Sequence, residues 1–155
     1  MVKVGIVDTS FSRVDMGRFV VDEIKETTTK LKLIRRTVPG IKDLAVACKK
    51  LIEEEGCEAC IALGMPGPMP KDKASTQIAS QGLMLAQLLT NRHILEVFVH
   101  EDEANTGKEL YALCKNRARE HAQNLIRMLL RPEDMVKRAG TGQREGFSDV
   151  GALKI

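Results

Sequence analysis

Aromatic residues are scarce in this chain: among 155 residues there is no tryptophan, one tyrosine and four phenylalanines. Stacking platforms that hold single-stranded nucleic acid need several exposed rings, so that class is excluded. The same scarcity makes any single exposed ring conspicuous. An excess of one charge is lacking too, since 24 Lys and Arg against 21 Asp and Glu leave a formal charge of +3. The two signs are interleaved, and no basic stripe marks a nucleic-acid surface. No apolar run approaches the roughly 18 residues that a membrane helix needs. Met1 leads straight into a β-branched apolar stretch without a leader-like pattern. The expectation is a cytoplasmic protein with no membrane or nucleic-acid partner.

Several chemistries are missing as well. The four cysteines, Cys48, Cys57, Cys60 and Cys114, fit reduced thiols better than a disulfide framework. Cys57-Glu58-Ala59-Cys60 has the spacing of half a zinc or redox site. No second pair follows it, and Cys60 runs into apolar Ile61-Ala62-Leu63 rather than opening a helix. No metal-ligand set is expected from it. Gly64-Met65-Pro66-Gly67 lacks the spacing and the Lys-Ser/Thr pair of a phosphate cradle. Ser10, Ser12 and Ser75 stand in no nucleophile elbow.

What is present is a 43% hydrophobic chain, long enough to bury its own core and read as a single domain over 1–155. Short apolar runs alternate with amphipathic ones. Strands are predicted at Val2 to Asp8, Leu31 to Val38, Ala59 to Leu63 and Ile94 to Val99. Helices are predicted from Met16 to somewhere between Thr27 and Thr29, about Asp43 to Glu55 (ending at Gly56), Ser75 to Leu89, about Gly107 to Leu130, and beyond Pro132 to about Arg138. Arg35-Arg36 interrupt the second strand, as an edge strand tolerates. Ile78, Gly82, Leu85 and Leu89 share one face of the third helix, where Gly82 permits close packing. Residues 64–73, with three prolines and two glycines, read as a shaped loop. A glycine-rich polar tail over about 140–155 adds little core.

Four strand-helix alternations predict a parallel sheet with helices on both faces. Ligands in such folds sit beyond the carboxyl ends of the strands. The segments there are Thr9 to Arg13, Pro39 to Asp43, Gly64 to Lys73 and His100 to Glu103. Pro39-Gly40 forms a hinge that aims a helix start outward, where amides without intrahelical partners can bind hydroxyls, carbonyls or anions. Asp43 is either a cap for that helix or a ligand group, and Lys42 either solvated or a ligand group. With Phe11 as the aromatic, acids at Asp43, Asp72 and Glu96, and bases at Lys42, Lys71 and Arg117, the inventory suits a flat, hydroxyl-bearing heterocycle. His100 with Glu101, Asp102 and Glu103 reads as a solvated acidic turn or a weak site for a hard cation such as Mg2+. His121 reads as a core histidine, and Phe147 as an anchor against a neighbour.

Four stretches carry a resemblance: Val-Gly-Ile-Val-Asp-Thr-Ser-Phe-Ser-Arg-Val-Asp (4–15), Arg-Arg-Thr-Val-Pro-Gly-Ile-Lys-Asp-Leu (35–44), Ala-Leu-Gly-Met-Pro-Gly (62–67) and Leu-Glu-Val-Phe-Val-His-Glu-Asp-Glu (95–103). Together they make the chain similar, over essentially its whole length, to archaeal-type riboflavin synthase, a family related to lumazine synthase. The resemblance implies a three-layer, flavodoxin-like α/β fold with a four-stranded parallel sheet, assembled as a homopentamer with sites between subunits. It implies conversion of two 6,7-dimethyl-8-ribityllumazine molecules per site into riboflavin and a ribitylaminouracil, without a redox cofactor. Carried over residue by residue, it implies that Phe11 stacks on the ring, with Thr9 and Ser10 beside it. Ile41 and Lys42, after Pro39 and Gly40, offer amides, and Asp43 accepts from ribityl hydroxyls. Gly64 and Met65 hold the pyrimidine edge. Glu96, Phe98 and His100 approach from the neighbouring subunit, and Arg117 supplies a cation. One departure stands out: where lumazine synthases have a Gly-Ala-Thr-Thr-His phosphate loop, this chain has Pro68-Met69-Pro70-Lys71-Asp72. A site without that loop should not handle a phosphorylated four-carbon substrate, which favours the synthase acting on lumazine pairs over a lumazine synthase; a non-catalytic lumazine- or flavin-binding protein stays as the alternative of another class.

Overall fold

The computed structural model of the chain describes residues 1–144 and 147–155. The predicted tail, 140–155, contains Glu145 and Gly146, which lie outside the described residues. Strands β1 (Val2–Thr9), β2 (Leu31–Val38), β3 (Ala59–Gly64) and β4 (Ile94–Phe98) alternate with helices α1 (Met16–Thr27), α2 (Leu44–Glu55), α3 (Pro70–Thr90) and α4 (Gly107–Leu130), with α5 (Pro132–Arg138) appended. The strands form one parallel sheet in the order β2-β1-β3-β4.

Alternation along β1 sorts the core into two layers, because successive side chains leave opposite faces of a strand. Val4 and Ile6, with Ile61 and Leu63 of β3, pack under α1 and α4 against Met16, Val20, Ile24, Cys114, Ala118 and Leu125. Val7, Cys60, Ala62 and Ile94 pack on the other face under Leu44, Cys48 and Leu51 of α2 and Leu83 of α3. The result is the three-layer, flavodoxin-like arrangement, with β2 at an edge as its arginines indicate. Among the described residues no helix is long and apolar enough to cross a membrane.

Helix ends follow local chemistry. Asp15 caps α1 by accepting from the Arg18 amide at 3.3 Å, and Thr106 caps α4 by accepting from Glu109 at 3.1 Å. Gly56 ends α2 in the left-handed region at φ 77°, where a Cβ is disfavoured. Two expectations are corrected. Residues 70–73 belong to α3: Pro70 sits at its first turn, where a missing N–H costs nothing, and Asp72 accepts from the Met69 amide at 3.0 Å. The second helix is preceded by a 3-10 turn, Ile41–Asp43, so its α-helical part begins at Leu44.

On α3 the face holding Ile78, Gly82, Leu85 and Leu89 is only partly covered. Gly82 faces α2, but a Cβ there would lie 3.4 Å from Ala45, an ordinary contact, so the packing at this point does not require glycine. Ile78, Leu85 and Leu89 are exposed in the single chain, and Thr76, Ala79, Leu83 and Ala86 form the buried stripe.

Candidate functional site

The chain steps from β2 across β1 to β3, so α1 and α2 leave on opposite faces and a crevice opens at the carboxyl ends of β1 and β3. The segments after all four strands meet there and are tied to one another. The Ser10 amide donates to Val38 O at 2.8 Å, joining the loop after β1 to β2. Arg13 pairs with Glu101 at 3.5 Å, and the Glu101 amide donates to Pro66 O at 3.1 Å. Lys73 donates to Asp102 at 2.9 Å.

Phe11 is the exposed ring the composition makes conspicuous, with 77% of its surface open. A Cβ placed on Gly40 would lie 3.9 Å from that ring and 4.0 Å from Asp43 Oδ2. The aromatic and the carboxylate therefore stand on either side of one small residue. Ile41 and Lys42 fill the first positions of the 3-10 turn, where an N–H has no carbonyl behind it within the turn. Asp43 does not cap α2 with its side chain; its Oδ2 accepts from the Gly40 amide at 3.2 Å and closes the turn. Lys42, Asp43 and Pro39 are exposed.

Gly64 is a close-approach position. A Cβ there would lie 2.6 Å from Ile41 Cγ2 and 3.1 Å from the Phe98 ring, so Ile41, Gly64 and Phe98 of one chain form a single contact group. The Gly64 carbonyl accepts from Val99 N at 3.1 Å, and Met65 is buried in the core layer under α1 and α4. Thr9 is buried, with its hydroxyl 2.7 Å from that of Ser12. Glu96 accepts a hydrogen bond from the Ser80 hydroxyl of α3.

In the turn after β4 each acid reaches a cation of another element. Glu101 pairs with Arg13, Asp102 with Lys73, and Glu103 with Arg117. Each carboxylate faces its own cation, and among the described residues no three His, Cys, Asp or Glu side chains come together to hold a metal.

Arg117, 8% exposed, donates through Nη2 to Glu103 Oε1 at 3.0 Å and through Nη1 to Glu103 Oε2 and Phe98 O, both at 3.1 Å. Burial acts to raise the Glu103 pKa, but hydrogen bonds from Arg117 and the His100 amide outweigh it and hold the carboxyl below its ordinary range. Glu103 Oε2 lies 2.7 Å from that amide and 3.7 Å from His100 Nδ1. Arg117 thus acts on His100 through Glu103. His100 Nε2 is buried and has no hydrogen-bond partner among the described residues, an arrangement that points toward a group from outside the chain.

Elsewhere, the guanidinium groups of Arg117 and Arg144 lie 5.6 and 5.2 Å from the centroid of the Phe147 ring, which is still 60% exposed in the single chain. His121 sits half-buried on α4. Cysteine nucleophiles are disfavoured: burial pushes the Cys114 thiol up to about 11. Hydrogen bonds among the thiols together with burial raise Cys57 and Cys60 further.

Sequence reasoning passed over one cluster. Asp8, 5% exposed at the end of β1, accepts from Arg35 through Oδ2 and from Thr37 through Oδ1, the latter at 2.6 Å. Arg35 also donates to Asp15 at 2.5 Å. Burial opposes the Arg35 charge, yet its hydrogen bonds to the two carboxylates raise its pKa. No signal in the sequence announced it, because the register that sets Asp8 opposite Thr37 exists only once β2 has paired with β1.

Residues 1–133 match the family described as 6,7-dimethyl-8-ribityllumazine synthase. The chain is 65% identical over 153 residues to a protein named riboflavin synthase from Methanothermobacter marburgensis, covering 99% of this chain and all of the relative. It is 63% identical to a riboflavin synthase from Methanothermobacter thermautotrophicus, with the same coverage. A riboflavin synthase from Archaeoglobus fulgidus is 47% identical over 97% of this chain and 98% of its own length.

Proposed function

The chain belongs to the 6,7-dimethyl-8-ribityllumazine synthase family, and from that membership we propose that it is a riboflavin synthase, a transferase acting on two molecules of 6,7-dimethyl-8-ribityllumazine. A four-carbon unit passes from one lumazine to the other, leaving riboflavin and 5-amino-6-(D-ribitylamino)uracil. The observation that carries the reading is the exposed Phe11 ring beside the Gly40–Asp43 turn, at the crevice where β1 and β3 end.

Phe11 gives one face of a bicyclic ring an apolar platform. The Ile41 and Lys42 amides and the Asp43 carboxylate suit ribityl hydroxyls, which both donate and accept. The conjugated ring acidifies the methyl group at carbon 7, so its anion can attack the second ring. Holding two lumazines face to face in opposite senses then supplies much of the acceleration. His100, oriented by Glu103 and Arg117, is the group suited to exchange a proton through Nε2. Because no step moves electrons to an outside acceptor, the reaction calls for no redox cofactor.

The active form is a closed homopentamer with the site shared by adjacent subunits. Support comes from α3, whose Met84, Leu85, Leu88 and Leu89 are all more than half exposed in one chain, a run that a soluble surface does not ordinarily leave open. Incubation of the purified protein with lumazine alone tests the function. Riboflavin and the pyrimidine in equal amounts are expected, and unchanged lumazine would sink the reading.

A further inference from the structure

The loop that presents Phe11 runs from Thr9 to Val14, and both of its ends converge on one guanidinium. Arg35 Nη2 donates to Asp8, immediately before the loop, and to Asp15, immediately after it. Asp8 is nearly fully buried and is also held by Thr37. The site is built for that approach: a Cβ on Gly17 would overlap Asp8 Oδ2 and come within 2.9 Å of Arg35 Nε. Only glycine at this point of α1 lets Arg35 close onto Asp8. Inside the loop, Ser12 N donates to Thr9 O at 3.4 Å and the two hydroxyls meet at 2.7 Å.

We propose that Arg35 is a positioning residue for the substrate: by pinning Asp8 and Asp15 it clamps the base of the Thr9–Val14 loop and sets where Phe11 stands. This rests on the reading of Phe11 as the ring platform. The guanidinium is suited to the task because its several N–H groups are fixed in one plane, so it can serve two carboxylates together, whereas an ammonium is a single point charge on a flexible stem. An ordered loop binds without losing conformational freedom at that moment, so loosening it falls on affinity rather than on the chemical step.

The test compares Arg35→Gln, Asp15→Asn and Phe11→Ala, alone and combined, by lumazine kinetics and amide hydrogen exchange. Asp15→Asn guards against a folding failure of the first variant, since an asparagine still caps α1. Arg35→Gln is expected to raise KM for lumazine about three- to tenfold, the factor one aromatic contact is worth, with kcat little changed. It should speed exchange at residues 9–14 but not in β3, and add nothing to KM in a Phe11→Ala background. Asp15→Asn should shift the same quantities by less. A lowered melting temperature with KM and exchange at 9–14 unchanged would overturn the proposal. Unchanged lumazine binding by Phe11→Ala would instead overturn the stacking role of Phe11. Exchange at 9–14 in the other two variants would still decide whether the clamp holds the loop.

Discussion

Asp43 and Glu103 are both acids at the carboxyl end of the sheet, and their surroundings give them different work. Asp43 is exposed and, among the described residues, its side chain holds the Gly40 amide alone, so its second oxygen and its charge are open to a ligand. Asp43→Asn keeps the acceptor for Gly40 and loses the charge. A charge-assisted hydrogen bond is worth roughly 1.5 to 3 kcal/mol, so lumazine affinity should fall by about one to two powers of ten, with the melting temperature near wild type. Titration of the purified protein with lumazine and a thermal melt of the same sample measure the two. Glu103 is held by Arg117 and the His100 amide, and its pKa is lowered from an ordinary 4.5. A lowered carboxyl pKa stabilises the fold at pH values above 4.5, and that contribution is lost as pH falls through the native value. Glu103→Gln is expected to cost roughly 1.5 to 3 kcal/mol at neutral pH, because it removes charged partners from a buried Arg117. The cost should shrink on the acid side of 4.5, as urea midpoints taken across that range will read.

At the level of elements, the site depends on how closely the turn after β2 lies on the end of β3. Ile41 reaches Gly64 across the face of the sheet that carries α2 and α3, and the Phe98 ring closes the other side. Gly64→Ala puts a methyl group where Ile41 Cγ2 and the ring already stand. Overpacking of that kind costs about 1 to 3 kcal/mol, and relief requires the turn that carries Lys42 and Asp43 to move. Both stability and lumazine KM should therefore worsen together, unlike Asp43→Asn, where KM moves alone. Helix α4 shows the converse dependence: Arg117 interrupts an otherwise apolar stripe of Leu110, Cys114, Ala118 and Ala122. It is tolerated because Glu103 and the Phe98 carbonyl satisfy it within the same burial.

For the whole molecule the decisive property is whether one chain holds a complete site. Strand order sets Phe11 and Asp43 beside β1 and β2, and Glu96 and His100 on β4 and the turn after it. If the site lies between subunits, a chain carrying both Phe11→Ala and Asp43→Asn, assayed at lumazine well below its raised KM, and a His100→Ala chain are each inactive through different halves of it. Unfolding, mixing and refolding the two inactive variants in equal amounts should then restore about a quarter of wild-type activity, since one pairing in four joins two intact halves in a closed ring. Activity no greater than that of the separate variants would place the whole site in one chain. Sedimentation of the wild-type protein reports the ring size independently.

The order of strands and helices was legible in the sequence, because apolar periodicity and glycine or proline punctuation are local properties that a short window contains. Leu31 to Val38 and Gly107 to Leu130 coincide with β2 and α4. Phe11, Asp43 and the turn after Pro39-Gly40 were legible for a related reason: in a parallel sheet every strand ends on the same side, so the loops after the strands must meet. Partnerships across the sheet were not legible. Arg35 looked like a solvated edge charge until the register brought β2 beside β1 and α1 brought Asp15 over it. Glu101, Asp102 and Glu103 looked like one acidic cluster until three separate elements each supplied a cation. Pro70 marked a loop in composition and a helix start in space, since proline is excluded from a helix interior but not from its first turn. Charge pairing and packing are decided by distance in space, and sequence separation carries almost none of that information until the chain has folded.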